Sequence, residues 1–395
     1  YDGLLEHHVK PFVELGFMPP ELSSDPKALQ EFWYHPNIAP PKSYAEWDAM
    51  ITAFAQHLVA RYGIDEVASW YFEVWNEPNI GFWAGRPAQS TYFTLYDHTA
   101  RALKAVSPRL RVGGPSTAQG AWATDFLAHA KKDDVPVDFV STHVYGDDTA
   151  DNVVHTKENI PRRDMVCRTV DKVHKEILAS PYPKLPLIFS EYNASYANLP
   201  NVTDTVFMGP WLANTIRECA GKVEAMSYWS FSDVFEEQGI VRNPFYGGFG
   251  LIAANRIPKP AFNAFAILHK LGGQRLAVAS DSALATRRDD GTLVIALWNY
   301  APPVGDIASY TPGRPAGSTK HFSLDVRHLP ATARATAWRV DETHGNAVAA
   351  FDRMGRPDAP SRAQIVQLRE AGKLAAPESI DLRDGKLAVD VPVQG

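Results

Sequence analysis

A (β/α)8-type barrel followed by a small β-sandwich is the α/β fold class that this chain of 395 residues predicts. Three observations carry it. Apolar strand-like runs and amphipathic helical stretches alternate at intervals of roughly 30–45 residues as far as residue 273, the pattern of parallel βαβ units. From about residue 274 the pattern changes to short runs joined by tight turns, as in hairpin-linked antiparallel strands. Finally, Glu77 and Glu191 each close an apolar run, and barrels of this class carry their chemistry at the carboxyl ends of the strands.

The elements follow in order. Tyr1 to Lys10 has neither the basic start nor the apolar centre of a signal peptide, and reads as part of an amphipathic helix. Residues 10–16 form the first strand, followed by an irregular stretch over 21–43 with prolines at 26, 36, 40 and 41. Trp47, Ile51, Phe54, Leu58 and Tyr62 repeat at helical spacing and stop at Gly63. A strand ending at Glu77 comes next, then a helix over 91–106 stopped by Ser107-Pro108. Residues 110–114 and 137–142 are strands, with a helix near 122–131 between them. Met165, Val166, Val170, Val173 and Ile177 mark a further helix, leading to the strand 187–191. A helix over 207–220, the strand 223–231, a Gly-rich loop and a helix over 261–271 complete the series. Six strands are counted rather than eight. In the second region, 276–278, 283–288, 293–298, 332–340 and 386–391 read as strands, with one helical excursion over 361–371.

Composition excludes several classes. A net charge of −6 speaks against a nucleic-acid partner, and no run of 18 or more apolar residues offers a membrane span. Cys167 and Cys219 are the only cysteines; both fall in helical patterns, without metal-ligand spacing, and read as buried free thiols. Ten tryptophans and fifteen tyrosines suit carbohydrate rings, although aromatic residues also build large cores.

The chemistry rests on the two glutamates, 114 residues apart, a separation that leaves room for about three βα units and brings both into one cavity. Cleaving a glycosidic bond takes two flanking carboxyl groups, one protonated and one ionised, and two like charges in one pocket resist ionising together. One of Glu77 and Glu191 is expected to be protonated and the other ionised, the ionised one held so by hydrogen bonds from neighbours such as Tyr145. His143 and Tyr145 end a strand facing the same mouth, with a core histidine as the other reading of His143. No second histidine stands at metal spacing, so neither a metal nor another cofactor is expected.

Three blocks in this order resemble glycoside hydrolase family 39, and its bacterial β-D-xylosidases in particular: Phe72-Glu73-Val74-Trp75-Asn76-Glu77-Pro78-Asn79, Ser190-Glu191-Tyr192-Asn193, and Tyr228-Trp229-Ser230-Phe231-Ser232-Asp233-Val234-Phe235-Glu236-Glu237. The resemblance extends to Gly247-Gly248-Phe249-Gly250-Leu251 and Met354-Gly355-Arg356-Pro357. It implies a (β/α)8 barrel in which the acid/base, here Glu77, ends strand 4 and the nucleophile, here Glu191, ends strand 7, with the carboxyl groups about 5–5.5 Å apart and hence retention of anomeric configuration. The first strand seen here is then strand 3, strands 1 and 2 are absent, and the chain reads as beginning inside the fold. The resemblance further implies that Asn76 bonds the sugar 2-hydroxyl and that Trp229 is the platform for the glycone, followed by a cis peptide to Ser230. One of Glu236 and Glu237 is expected to bind sugar hydroxyls, and Phe82 and Trp83 to line the leaving-group side or to pack the loop. The implied partner is a xylo-oligosaccharide, in a bacterial-type protein of the cytoplasm or periplasm; a homo-oligomer is compatible with it. The open alternatives are α-L-iduronidase-like or α-L-arabinosidase activity, or a carbohydrate-binding barrel without turnover.

Overall fold

The computed structural model describes residues 1–234, 239–241, 243–305, 308, 315–330 and 332–395. Six parallel strands form one sheet in sequential order: β1 (Phe12–Leu15), β2 (Tyr71–Val74), β3 (Arg111–Thr117), β4 (Phe139–Tyr145), β5 (Leu187–Asn193) and β6 (Ala225–Tyr228). The helices of this region are α1 (Asp2–Glu6), α2 (Tyr44–Tyr62), α3 (Ile64–Val67), α4 (Ala88–Val106), α5 (Ala123–Lys132), α6 (Ala150–Val154), α7 (Arg162–Leu178), α8 (Pro200–Thr203), α9 (Met208–Cys219) and α10 (Pro260–Leu268). A parallel sheet needs a crossover between neighbouring strands, and the longer helices supply it. α2 shows how local chemistry sets an element: the Ser43 side chain caps its start by accepting from the Glu46 amide, and Gly63 ends it at φ 82°. Trp47, Ile51, Ala55 and Leu58 form its buried stripe, and the Trp47 indole donates to Thr99 on α4 at 2.8 Å.

Alternation along each strand separates two environments. Facing the helices are Val13, Leu15, Phe72, Val74, Val112, Val140, Val144 and Phe189, all buried in the main core. Full burial of side chains of this size stabilises by about 1.5–3 kcal/mol each. The opposite face is layered. Phe12, Tyr71 and Phe139 pack ring on ring, with the Arg111 guanidinium 3.7 Å over the Tyr71 ring. Two residues further along, Glu14, Glu73 and Ser141 make a polar tier. Two residues beyond Ser141 stands His143.

Among the described residues the second region is antiparallel, as expected, but its ladders do not form two continuous sheets. After the short pair β7 (Ile252–Ala253) and β8 (Ile257–Pro258) come β9 (Gln274–Leu276), β10 (Ala283–Arg287) and β11 (Leu293–Leu297), which pair in the order β11-β10-β9. Two separate pairs join β12 (Lys320–Asp325) to β15 (Lys386–Val391) and β13 (Ala335–Ala337) to β14 (Glu378–Ile380). The helical excursion is present as α12 (Arg362–Ala371), held by a Ser361/Gln364 capping box, and is preceded by α11 (Ala347–Arg353). Ala347, Val348, Ala350, Phe351 and Leu368 of these helices share a second core with Phe245, Ala253 and Ile257.

The reading of the cysteines as free thiols is corrected. Cys167 on α7 and Cys219 on α9 form a disulfide with Cα atoms 5.3 Å apart. They lie 52 residues apart in sequence, and only the packing of α7 against α9 brings them together.

Candidate active site

Glu77, His143, Tyr145 and Glu191 converge at the carboxyl edge of the sheet. β2 ends at Val74, and the chain then turns sharply, with Trp75 at φ 71° and Glu77 at φ 44°. Left-handed backbone costs a non-glycine residue of order 1–3 kcal/mol, so strong contacts must hold it. The Trp75 amide donates to Leu15 O at 3.2 Å and the Glu77 amide to Ser116 O at 2.8 Å. The Trp75 indole donates to Phe82 O at 2.8 Å, and its ring meets Trp83 edge-on at 4.9 Å. The turn delivers the Glu77 carboxyl to the mouth, 8% exposed.

The other carboxylate arrives by a register shift. Strict alternation would send Ser190 and Glu191 to opposite faces. Yet Ser190 Oγ donates to Glu73 on the inner face at 2.5 Å, while Glu191 accepts from Tyr145 Oη, also at 2.5 Å. The β4–β5 pairing slips between Thr142 and His143, and the β5–β6 pairing slips between Phe189 and Tyr192. Such irregularities re-aim side chains. Here they put two consecutive residues on one face.

His143, fully buried on β4, lies between the carboxylates: its Nδ1 is 3.0 Å from Glu77 Oε1 and 3.6 Å from Glu191 Oε2. Burial opposes the imidazolium, but Glu191, Glu77 and Glu73 outweigh it and push His143 up to about 10. Glu191 is pushed up to about 7, by burial first and then by repulsion from Glu77 and Glu73, against the pull of His143 and Tyr145. Groups this close release their protons as a set rather than singly. One oxygen of each glutamate and a nitrogen of His143 lie within 4.8 Å of one another, a spacing that also suits a cation. A protonated His143 would direct its Nδ1–H from that central position to Glu77 Oε1.

Two acidic residues that sequence reasoning passed over stand beneath this group. Glu73 is 1% exposed and raised by burial, with His143 and Ser190 pulling it back; the Ser116 and Ser141 hydroxyls are beside it but out of hydrogen-bond alignment. Glu14 is open to solvent on one side, yet the protein packed around it, followed by Glu73, Glu191 and Glu77, holds its carboxyl well above the usual range. A glutamate inside an apolar run is the signal that marks both. Asp148, also missed, accepts from the Tyr145 amide at 2.7 Å and from Gln119 at 3.2 Å; burial raises it to about 6.

The remaining expected residues divide. Asn76 is 9% exposed, and its carboxamide oxygen has no partner among the described residues. Trp229 is half-buried at the end of β6, its carbonyl accepting from Asn193 Nδ2 at 2.5 Å, and the Trp229–Ser230 peptide is cis as expected. Phe82 packs against Phe17 and Phe32 at the edge of the site. Trp83 takes the packing role instead of lining the leaving-group side. It is 1% exposed, wedged against Trp75, with its indole nitrogen donating to Thr91. Glu236 and Glu237 lie outside the described residues.

Two buried carboxyl groups facing each other at the strand ends of a parallel βα sheet define a sugar-cleaving hydrolase. The model of "Glycosyl hydrolases family 39" matches residues 1–384, and the chain belongs to that family. A beta-xylosidase of Geobacillus stearothermophilus is 38% identical over 398 residues, covering 99% of this chain and 76% of its own. The crystal structure of a GH39 enzyme from Xanthomonas axonopodis pv. citri superposes with a TM-score of 0.87 at 36% identity, covering 100% of this chain and 79% of that one. A monomeric beta-xylosidase from Caulobacter crescentus CB15 gives a TM-score of 0.87 at 37% identity, covering 100% and 80%. The parallel sheet and its helices therefore follow the (β/α)8-type fold of the family.

Proposed function

We propose that this chain is a retaining β-xylosidase that releases xylose from the non-reducing end of xylo-oligosaccharides, with Glu77 as acid/base and Glu191 as nucleophile. The observation that carries retention is the approach of the two carboxyl groups, with oxygens within 4.8 Å. That approach fits the ~5–5.5 Å carboxyl separation of retaining enzymes better than the ~6.5–9.5 Å of inverting ones. The likeness to beta-xylosidases at 36–38% identity over nearly the whole chain supports the choice of sugar.

In the first step the Glu191 carboxylate attacks the anomeric carbon while Glu77 gives its proton to the departing oxygen. The products are a glycosyl ester and a free alcohol. In the second step Glu77, now a carboxylate, takes a proton from water as the water attacks the same carbon, and Glu191 leaves ionised. His143 holds Glu77 in place through Nδ1, and Tyr145 stabilises the charge on Glu191. The unpartnered Asn76 oxygen suits a sugar hydroxyl, and the half-buried Trp229 a sugar face. The Cys167–Cys219 bridge favours the periplasm over the cytoplasm, because disulfides persist in oxidising compartments.

The test is proton NMR of 4-nitrophenyl β-D-xyloside during hydrolysis. β-Xylose should appear first and mutarotate afterwards. α-Xylose first would refute retention. A faster iduronide or arabinoside would overturn the choice of sugar, and xylose binding without turnover would make the chain a binding module.

A further inference from the structure

Lysine is almost never fully buried unless paired, yet Lys259, just before α10, is 0% exposed. Its ammonium lies 2.6 Å from Gly248 O, 3.2 Å from Asp233 Oδ2 and 2.7 Å from Asp204 Oδ1, the last an ion pair out of hydrogen-bond alignment. The two aspartates are equally buried and reach the same loop from either side. Asp204 Oδ2 accepts from the Gly247 amide and Asp233 Oδ1 from the Gly250 amide, both at 2.6 Å. The approach is close enough to demand glycine, since a Cβ on Gly248 would lie 2.4 Å from Asp233 Oδ1 and one on Gly250 2.3 Å from the Asp233 nitrogen.

What the loop holds in turn gives the cluster its meaning. The Ser230 amide donates to Phe249 O, Leu251 donates back to Ser230 O, and Ile252 donates to Phe231 O. Asn193, two residues beyond Glu191 on β5, donates to Trp229 O at 2.5 Å and lies 3.4 Å from Phe249 O. An unbroken series of bonds thus runs from Lys259 through residues 247–251 to Ser230, Trp229 and Asn193. A burial-only role would be met more cheaply by apolar side chains, because one lysine between two aspartates leaves an excess negative charge in the interior.

We propose that Lys259, Asp204 and Asp233 are positioning residues, a buried ionic clamp that fixes the 247–251 loop and so aims Trp229 at the sugar. The clamp rests on the assignment of Trp229 to the glycone site. None of the three side chains touches substrate; they act through the loop.

Asp233→Asn and Asp204→Asn test this, because each leaves Lys259 paired with the other carboxylate and removes the excess charge, so folding is retained. Thermal melting establishes that. Amide hydrogen exchange reads the clamp without any ligand, and exchange at Ser230, Gly250 and Leu251 should accelerate at least tenfold in D233N while β2 to β4 stay protected. Calorimetry with D-xylose and the kcat/KM for 4-nitrophenyl β-D-xyloside then read its consequence. Both should fall tenfold or more, with the limbs of the pH profile unmoved because Glu77 and Glu191 are untouched. Wild-type exchange rates in both folded variants, or faster exchange with sugar affinity intact, would overturn the proposal. If the wild type ignores xylose, the choice of sugar fails while the exchange comparison still decides on the clamp.

Discussion

Removing one oxygen atom offers the sharpest test of the site. Tyr145→Phe deletes the hydroxyl that donates to Glu191 Oε2 at 2.5 Å and leaves the ring, including its edge contact with Tyr196. Hydrogen bonds to charged groups contribute about 1.5–3 kcal/mol, and about 1.4 kcal/mol corresponds to one pH unit. The bond favours the ionised form of Glu191, so its loss raises a carboxyl already near 7 by about one to two units. The nucleophile must be ionised, so the acid limb of kcat/KM moves to higher pH. At pH 7 the ionised fraction falls from about one half to about 1–10%, a loss of roughly 5–50-fold that should largely disappear by pH 9. The assay is kcat/KM for 4-nitrophenyl β-D-xyloside from pH 5 to 9.5, in the wild type and the variant. An acid limb that stays put, or a loss equal at all pH values, would refute the reasoning. The bond would then not be tuning the nucleophile.

Three further outcomes follow from the same geometry. Glu77→Ala should lose at least 10²-fold on xylobiose but much less on a substrate with a nitrophenyl leaving group, which departs without protonation; equal losses on both would remove Glu77 from the acid role. Glu191→Gln should abolish turnover. It should also raise the melting temperature relative to wild type at pH 8 more than at pH 5, because a carboxyl raised from 4.5 to about 7 contributes stability that is present below pH 4.5 and lost as pH rises through 7. No pH-dependent difference between the two melting curves would contradict that environment. Cys167→Ala should cost up to about 4 kcal/mol by the loop-closure relation for a 52-residue loop, read by urea unfolding, and a thiol titration should find no free cysteine in the native protein.

Legibility from sequence tracked how local the determining physics is. α2 was readable because its apolar spacing and its terminating glycine lie within the segment, although Ala55 rather than Phe54 completes the buried stripe. β2 was readable because an apolar run ends abruptly at Asn76-Glu77-Pro78, and the pairing of Glu77 with Glu191 followed from the strand-end rule. Glu73 and Glu14 were not, since a polar tier on the inner face of a strand looks in one dimension like an interruption of it. The disulfide was hidden because nothing near Cys167 on α7 indicates that α9 will carry Cys219 alongside. β12 and β14 escaped too, because each is paired only with a strand far along the chain: Lys320 lies opposite Val391, 71 residues on, and Ala335 opposite Ile380, 45 residues on. The register slips around His143 and Glu191 have no signature in residue type at all.

Those slips have a consequence for how the molecule can change. Below them, β4 and β5 obey simple alternation, and their side chains answer to the packing of the helices. Above them, the phase of the side chains is reset, so the reagents at the rim need not share the parity of the floor. A substitution that repacks the lower strands therefore leaves Glu191 aimed where it was. Deleting Ser190 would instead erase the offset and return the strand to a single phase, with Phe189 and Tyr192 still toward the helices and Glu191 still inward, at the cost of the hydroxyl that meets Glu73.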